Sequence, residues 1–149
     1  MGTRPCTIVP ILVGSTSAVK EELYGKLLAP FLNDPGNFFI VSSDFCHWGS
    51  RFRYTPHDTT LPIHEYITSL DERGMDIISA QDYQGFRTYV HETNNTICGQ
   101  HPIGIFLQIM FFSEMQYDVQ FVHYAQSSAC TSMEDSSVSY AAAIVTKKA

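Results

Sequence analysis

Residues 6–48 read CTIVPILVGSTSAVKEELYGKLLAPFLNDPGNFFIVSSDFCHW, and this stretch decides the fold expected for the chain. Its first part, residues 6–14, is apolar and rich in β-branched side chains, which is typical of a strand buried on both faces. Pro10 indicates that this strand lies at a sheet edge or carries a bulge. A second apolar run, residues 38–41, predicts another strand.

A helix is predicted between these two strands. Residues 15–17, Ser-Thr-Ser, offer a helix N-cap, and apolar residues then recur at helical spacing until Asn33. A strand, a helix and a strand in this order are typical of a right-handed crossover in a parallel sheet. The predicted fold class is therefore α/β, with a mixed, mostly parallel sheet flanked by helices.

The remaining chain predicts three further helical regions and two strands. Helical spacing runs through residues 62–70 and 75–78, and a cap at Gln81 or Asp82 begins a further helix. Another helix is expected from residues 98–102, with Pro102 at its first position, through the apolar residues 103–112. Two final strands are predicted over residues 119–125 and 137–146, separated by a polar loop that carries Cys130.

Length and charge exclude several classes of protein. The chain has 149 residues, about one ordinary domain, with 9 basic against 15 acidic residues and a net charge of −6. It therefore lacks the basic surface that sequence-independent binding to nucleic acid or to anionic membranes requires. No apolar run is long enough to span a membrane, and no secretory signal is evident. The four separated cysteines indicate reduced thiols or metal ligands in a soluble, cytoplasmic protein, with the nucleus as a second location.

The strongest candidate site is the polar stretch SSDFCHWG at residues 42–49. It follows the second predicted strand, and in open α/β sheets the carboxyl ends of strands face the ligand crevice. Asp44 could orient an imidazole, and His47 could act as an acid, a base or a metal ligand. The alternative is a helix cap at this point, with Cys46 and Trp48 simply filling the core.

A second candidate is the stretch Cys98-Gly99-Gln100-His101-Pro102. Its Cys-x-x-His spacing suits a metal, but it supplies only two of the three or four ligands that zinc takes from a protein. A helix start preceded by glycine can also offer free N–H groups to an anion. The alternative is an ordinary helix cap.

Six stretches of the chain together carry a family resemblance. They are residues 8–14 (IVPILVG), 39–48 (FIVSSDFCHW), 49–54 (GSRFRY), 95–104 (NTICGQHPIG), 124–128 (YAQSS) with Cys130, and 135–142 (DSSVSYAA). In this order, along nearly the whole chain, they resemble the C-terminal half of the Memo family, mediator of ErbB2-driven cell motility, which includes protein B-like members of the AmmeMemoRadiSam system. Residues 1–149 are accordingly expected to form the C-terminal half of a Memo-like domain.

The resemblance implies a fold like that of the class III extradiol (LigB-type) dioxygenases, which use non-haem iron. It also implies a vestigial pocket that binds copper or iron through two histidines and one cysteine, and a role in redox-linked signalling and cell motility. Cys130 matches the family's cysteine, and His47 matches a histidine that lines the pocket. The implied roles are Asp44 and His47 as catalytic residues, Cys46, Gly99 and His101 as pocket residues, and Cys130 with His47 as metal ligands.

The chain also departs from the family. The two ligand histidines of the family lie in motifs resembling His-Ala-Gly-Tyr and Gly-Pro-Ser-His-His, and neither occurs in these 149 residues. The chain is therefore expected to begin near the midpoint of a typical member, as a truncated domain with weakened copper or iron affinity and without enzymatic activity. Uncovered sheet edges and helix faces are expected to cause instability or self-association.

Two other functions stay open at this point. The first is a non-catalytic adaptor that binds a peptide or a phosphopeptide of a signalling receptor, with the phosphate at the helix start near His101. The second is a ring-cleaving non-haem iron dioxygenase, which requires a complete set of iron ligands.

Overall fold

The structure, a computed structural model, describes residues 6–148. The elements in chain order are α1 (Ala18–Asn33), β1 (His47–Gly49), a short 3-10 turn (Ser50–Phe52), α2 (Ile63–Ser79), α3 (Tyr83–Thr93), α4 (Gln100–Phe112), β2 (Tyr117–Gln126) and β3 (Ser136–Lys147). The chain is thus a mixed α/β protein, as expected. In the part of the chain described, no helix is both long and apolar enough to cross a membrane.

Local sequence signals correctly predict where helices α1 and α3 begin. Ser17 caps α1 by accepting a hydrogen bond from the Lys20 amide, and Asp82 caps α3 by accepting one from the Gly85 amide. The two helical stretches predicted over residues 62–70 and 75–78 form one continuous helix, α2. Helix α4 begins two residues earlier than predicted, so Pro102 occupies its third position.

The sheet differs from the prediction. Its three strands lie in the order β1-β3-β2, and both pairings are antiparallel. The predicted parallel crossover is therefore wrong for the described residues. The final two strands are confirmed and pair with each other along most of their length, with a bulge between Phe121 and His123.

The two strands predicted before and after α1 are not formed. Residues 6–14 and 37–46 have no regular secondary structure. Within the described chain, residues 6–14 and 38–42 make no hydrogen bond, and the first backbone pairing after α1 and its terminal turn joins the Phe45 amide to the Ser139 carbonyl at 2.9 Å. An apolar β-branched run becomes a strand only when a neighbour accepts and donates its backbone hydrogen bonds, and here no neighbour does.

The core lies between α2, α3 and α4 on one side and the sheet on the other. Trp48, Ile67, Phe86, Tyr89 and Ile97 are among its largest fully buried side chains. Helix α1 packs on α4 through small residues, because a Cβ atom at Gly25 would collide with Gln108. The side chains of α1 that face away from α4 are left exposed.

Candidate functional site

His47 is the first residue of β1, and Thr96 fixes it on two sides. The His47 amide donates to the Thr96 hydroxyl at 2.7 Å, and this hydroxyl donates to the His47 carbonyl at 3.1 Å. The imidazole Nδ1 lies 2.9 Å from the Thr96 carbonyl oxygen. Since a carbonyl only accepts, Nδ1 carries a proton, and Nε2 of the neutral ring keeps a free lone pair.

Asp44 faces that free nitrogen. Its Oδ2 atom lies 3.7 Å from His47 Nε2, and the two side chains are 45% and 20% exposed. The separation is too long for a direct hydrogen bond, but a water or a cation between the two atoms would contact both. The structure thus brings together the two residues for which the sequence predicts catalytic roles. We call this partly exposed pair, His47 and Asp44, the rim.

Residues at the start of α4 hold Asp44 in place. The Asp44 amide donates to the Cys98 sulfur at 3.2 Å, and the Gly99 amide donates to the Ser43 hydroxyl at 2.9 Å. Position 99 requires glycine because a Cβ atom there would collide with the Ser43 side chain. Gly99 therefore contributes through its backbone, which holds Ser43, the residue before Asp44.

Cys46 and Cys130 are both fully buried. Burial, the Asp71 charge and the proximity of Cys130 raise the pKa of the Cys46 thiol. Burial and the Asp135 charge raise the pKa of the Cys130 thiol. Both side chains are consequently neutral thiols at physiological pH, and either would have to lose its proton to bind a metal.

Cys130 makes no direct hydrogen bond or ion pair with His47 or Asp44 in the described structure. A longer path of hydrogen bonds connects the two regions through the backbone and the core. The path runs, in order, through the Cys130 carbonyl, His64, Gln126, Tyr124, Asp71 and the amide of Cys46, which precedes His47.

His101 points toward a different cluster. Its Nδ1 lies 2.7 Å from Oε1 of Glu21, a carboxylate of α1 that is 1% exposed. Tyr83 and Arg87 of α3 donate to the other oxygen of Glu21 at 2.7 and 3.0 Å, and Thr16 donates to the first at 2.9 Å. Burial raises the pKa of Glu21, but these hydrogen bonds and the Arg87 charge outweigh it and hold that pKa below its usual value. The Cys-x-x-His pair is therefore divided between two sites.

A buried polar cluster around Asp71 is absent from the sequence-based prediction. The Asp71 carboxylate accepts hydrogen bonds from the Cys46 amide at 3.3 Å, from Asn95 at 3.0 Å and from Tyr124 at 2.9 Å. Burial nevertheless raises its pKa above the ordinary value. The sequence does hold a signal for it, because Asp71 falls on the apolar face of α2, four residues after Ile67.

The residues present do not complete a copper or iron site. Within residues 6–148, no group of three or more His, Cys, Asp or Glu side chains is arranged to hold a metal ion. His47 and Asp44 supply two donors at the rim, and the Cys130 thiol is protonated in the core. Two donors fall short of the three or four that a stable transition-metal site takes from a protein.

Comparisons with known proteins give matches over nearly the whole chain. The family model described as "Memo-like protein" matches residues 3–144. The chain is 49% identical to Protein MEMO1 of Rattus norvegicus over 144 residues, which is 94% of the chain and 48% of that protein. It is 42% identical to the Protein memo-1 homolog of Caenorhabditis elegans over 151 residues, 97% of the chain and 43% of that protein. The chain thus spans about half the length of the curated relatives it matches.

Proposed function

Because the chain belongs to the Memo family, we propose that it works as a ligand-binding and signalling protein through the rim formed by His47 and Asp44, and not as an enzyme. The single observation that carries this proposal is the anchored imidazole: Thr96 fixes its Nδ1, and its Nε2 faces the Asp44 carboxylate at 3.7 Å. Such a pair can bind a proton, a water or a cation. The proposal includes descent of this pocket from a LigB-type dioxygenase.

Copper or iron is the cation that we propose for the complete pocket. His47 would hold it, and Cys130 would join as a second soft ligand once a conformational change or a bound metal deprotonates the thiol. When bound, either metal would supply redox chemistry for signalling linked to cell motility. The described residues by themselves supply too few donors, so a copper or iron ion bound at His47 would need further ligands.

Copper titration of the chain with and without a His47→Ala substitution tests this proposal. We expect weak binding that falls at least about tenfold in affinity in His47→Ala, because the free Nε2 is lost. Cys130→Ser should lower the affinity less than His47→Ala does, because the Cys130 thiol is buried and must lose its proton before it binds a metal. His91→Ala, at an exposed histidine of α3, is the matched control. Equal binding by the wild type and His47→Ala would refute the role of His47.

The adaptor function has less structural support than ligand binding at His47 and Asp44, because the start of α4 is poorly suited to a phosphate. A phosphate near His101 would lie beside the Glu21 carboxylate, which already takes the hydrogen bond of the imidazole. The negative charges of the phosphate and of Glu21 would repel each other strongly, because both would be partly buried. A phosphopeptide partner is thus a weaker proposal than a pocket at His47, and a pull-down with phosphorylated and unphosphorylated peptide distinguishes the two.

A further inference from the structure

The loop between β2 and β3, residues 127–135, carries an exposed serine that is followed by two acids. From Ser132 to Asp135 its sequence is Ser-Met-Glu-Asp, and the first three of these residues are exposed. The loop contains no helix or strand, and the Ser132 hydroxyl oxygen accepts a hydrogen bond from the Glu134 amide at 3.3 Å. The hydroxyl is therefore accessible to a protein that approaches from solvent.

The charges around Ser132 are those of an acceptor for an acid-directed kinase. Serine/threonine kinases select substrates partly by charge, and one class requires acids at the second and third positions after the acceptor. Glu134 and Asp135 occupy these positions, and residues 126–138 contain no lysine or arginine. The neighbouring Thr131 has an acid at the third of these positions but methionine at the second, and its hydroxyl donates to Asp135 at 3.2 Å. Ser132 is thus the better acceptor of the two.

Asp135 also closes the loop. One of its carboxylate oxygens accepts hydrogen bonds from the amides of Thr131 and Ser132, at 2.8 and 2.9 Å. In the other direction, the Asp135 amide donates to the Ser132 carbonyl at 3.2 Å. The turn from Thr131 to Asp135 therefore depends on a negative charge that lies against the backbone of Ser132.

A phosphate on Ser132 would act against this turn. It would bring a charge of about −2 beside the Asp135 carboxylate, and phosphates next to acidic side chains disrupt local structure by repulsion. Among the residues that the structure describes, none of the ion pairs involves this loop, so no cation is held there to offset the added charge. The residue just before the turn is Cys130, which is fully buried. Opening of the turn would release this side chain from the core.

We propose that Ser132 is a phosphorylation site for an acid-directed serine/threonine kinase, and that its phosphate repels Asp135, opens the loop and exposes the Cys130 thiol. The γ-phosphoryl group of ATP passes to the Ser132 hydroxyl oxygen: the bond from the γ-phosphorus to its bridging oxygen breaks, a new P–O bond forms, and ADP leaves. The hydroxyl proton goes to a base of the kinase. The proposal concerns the loop and stands whether or not the rim binds a metal.

Phosphate incorporation tests the site. The chain is incubated with ATP and a purified kinase that requires acids at the second and third positions after the acceptor. We expect mass spectrometry to find a phosphate on Ser132, and Ser132→Ala to lose at least about tenfold in incorporation. Thr59→Ala, at an exposed loop hydroxyl followed by Leu61 and Pro62 at these positions, is the matched control and should keep the wild-type level. Incorporation that Ser132→Ala leaves unchanged, or none by a kinase that is active on an acidic peptide, would overturn the proposal.

Alkylation by iodoacetamide, followed on peptides by mass spectrometry, tests the opening of the loop. We expect Cys130 to be labelled at least about fivefold faster in the phosphorylated chain and in Ser132→Glu than in the wild type. The buried Cys46 should keep its rate. Ser132→Gln, which has the size of the glutamate variant without its charge, should behave as the wild type. An unchanged rate at Cys130 after phosphorylation, an equal increase in Ser132→Gln, or an equal increase at Cys46 would overturn the proposal.

Discussion

At the scale of single residues, two buried carboxylates behave in opposite ways. Glu21 and Asp71 are both nearly inaccessible, at 1% and 0%. Burial raises the pKa of both carboxyl groups. At Glu21 the hydrogen bonds with His101, Tyr83 and Thr16, followed by the smaller effect of the Arg87 charge, outweigh burial and lower the pKa. At Asp71 burial outweighs the hydrogen bonds and the pKa is raised.

The lowered pKa of Glu21 predicts how stability depends on pH. A carboxyl group whose pKa is depressed by folding adds stability above its ordinary pKa, 4.5, and that stability is lost as the pH falls through the lower folded value. We expect urea unfolding to show a loss of stability below about pH 4.5 that is shallower in Glu21→Gln. Glu22→Gln, at an exposed neighbour on α1, should keep the wild-type slope. Identical slopes for the wild type and Glu21→Gln would contradict the assignment.

The Asp71 cluster predicts a larger effect at neutral pH. Asp71→Ala removes the carboxylate that accepts from the Cys46 amide, Asn95 and Tyr124, and we expect a loss of about 3 kcal/mol in the free energy of unfolding. The matched control is Asp76→Ala on the exposed face of the same helix, which should cost less than about 0.5 kcal/mol. Thermal unfolding followed by circular dichroism measures both. A small effect of Asp71→Ala would mean that the charge costs as much as its hydrogen bonds contribute.

At the scale of elements, the contact of α1 with α4 depends on the absence of a side chain. Gly25 lies against the backbone and Cβ of Gln108, so Gly25→Ala forces the helices apart although alanine favours the helix. We expect a net destabilisation of about 1–2 kcal/mol, seen as a lower midpoint in thermal unfolding. Gly14→Ala, where a Cβ would contact nothing within 4 Å, should be neutral. Equal stability of both variants would show that the two helices adjust without cost.

Helices and their caps could be read from the sequence because their signals are local. Ser17 and Asp82 cap the helices they were expected to begin. The arrangement of the sheet could not be read from the sequence, because strand pairing depends on neighbours distant in the chain. For residues 6–14 and 38–41, no such neighbour is present in the described structure. Composition favoured strands at both places without showing whether a partner exists.

The candidate site was predictable in the same uneven way. Asp44 and His47 follow from one short polar stretch, and the structure places them face to face. Thr96 fixes the imidazole from 49 residues away in the chain, and no sequence pattern predicts that contact. His101 lies in the first turn of α4, as predicted, but its side chain contacts Glu21, which lies 80 residues earlier in the chain.

At the scale of the whole molecule, the described chain has a packed core on one side and exposed apolar side chains on α1 and in residues 6–14 and 38–41 on the other. The expected exposure of apolar surface is thus observed, while instability and self-association stay predictions. The pair formed by His47 and Asp44 follows closely on residues 38–41 in the chain.

Amide hydrogen exchange tests this account most directly. We expect the amides of residues 7–13 and 38–42 to exchange near the rate of an unstructured peptide, because these residues make no backbone hydrogen bond within the described chain. The amides of α4, which have their helical hydrogen bonds, should stay protected. Protection of residues 7–13 and 38–42 comparable to that of α4 would contradict the account.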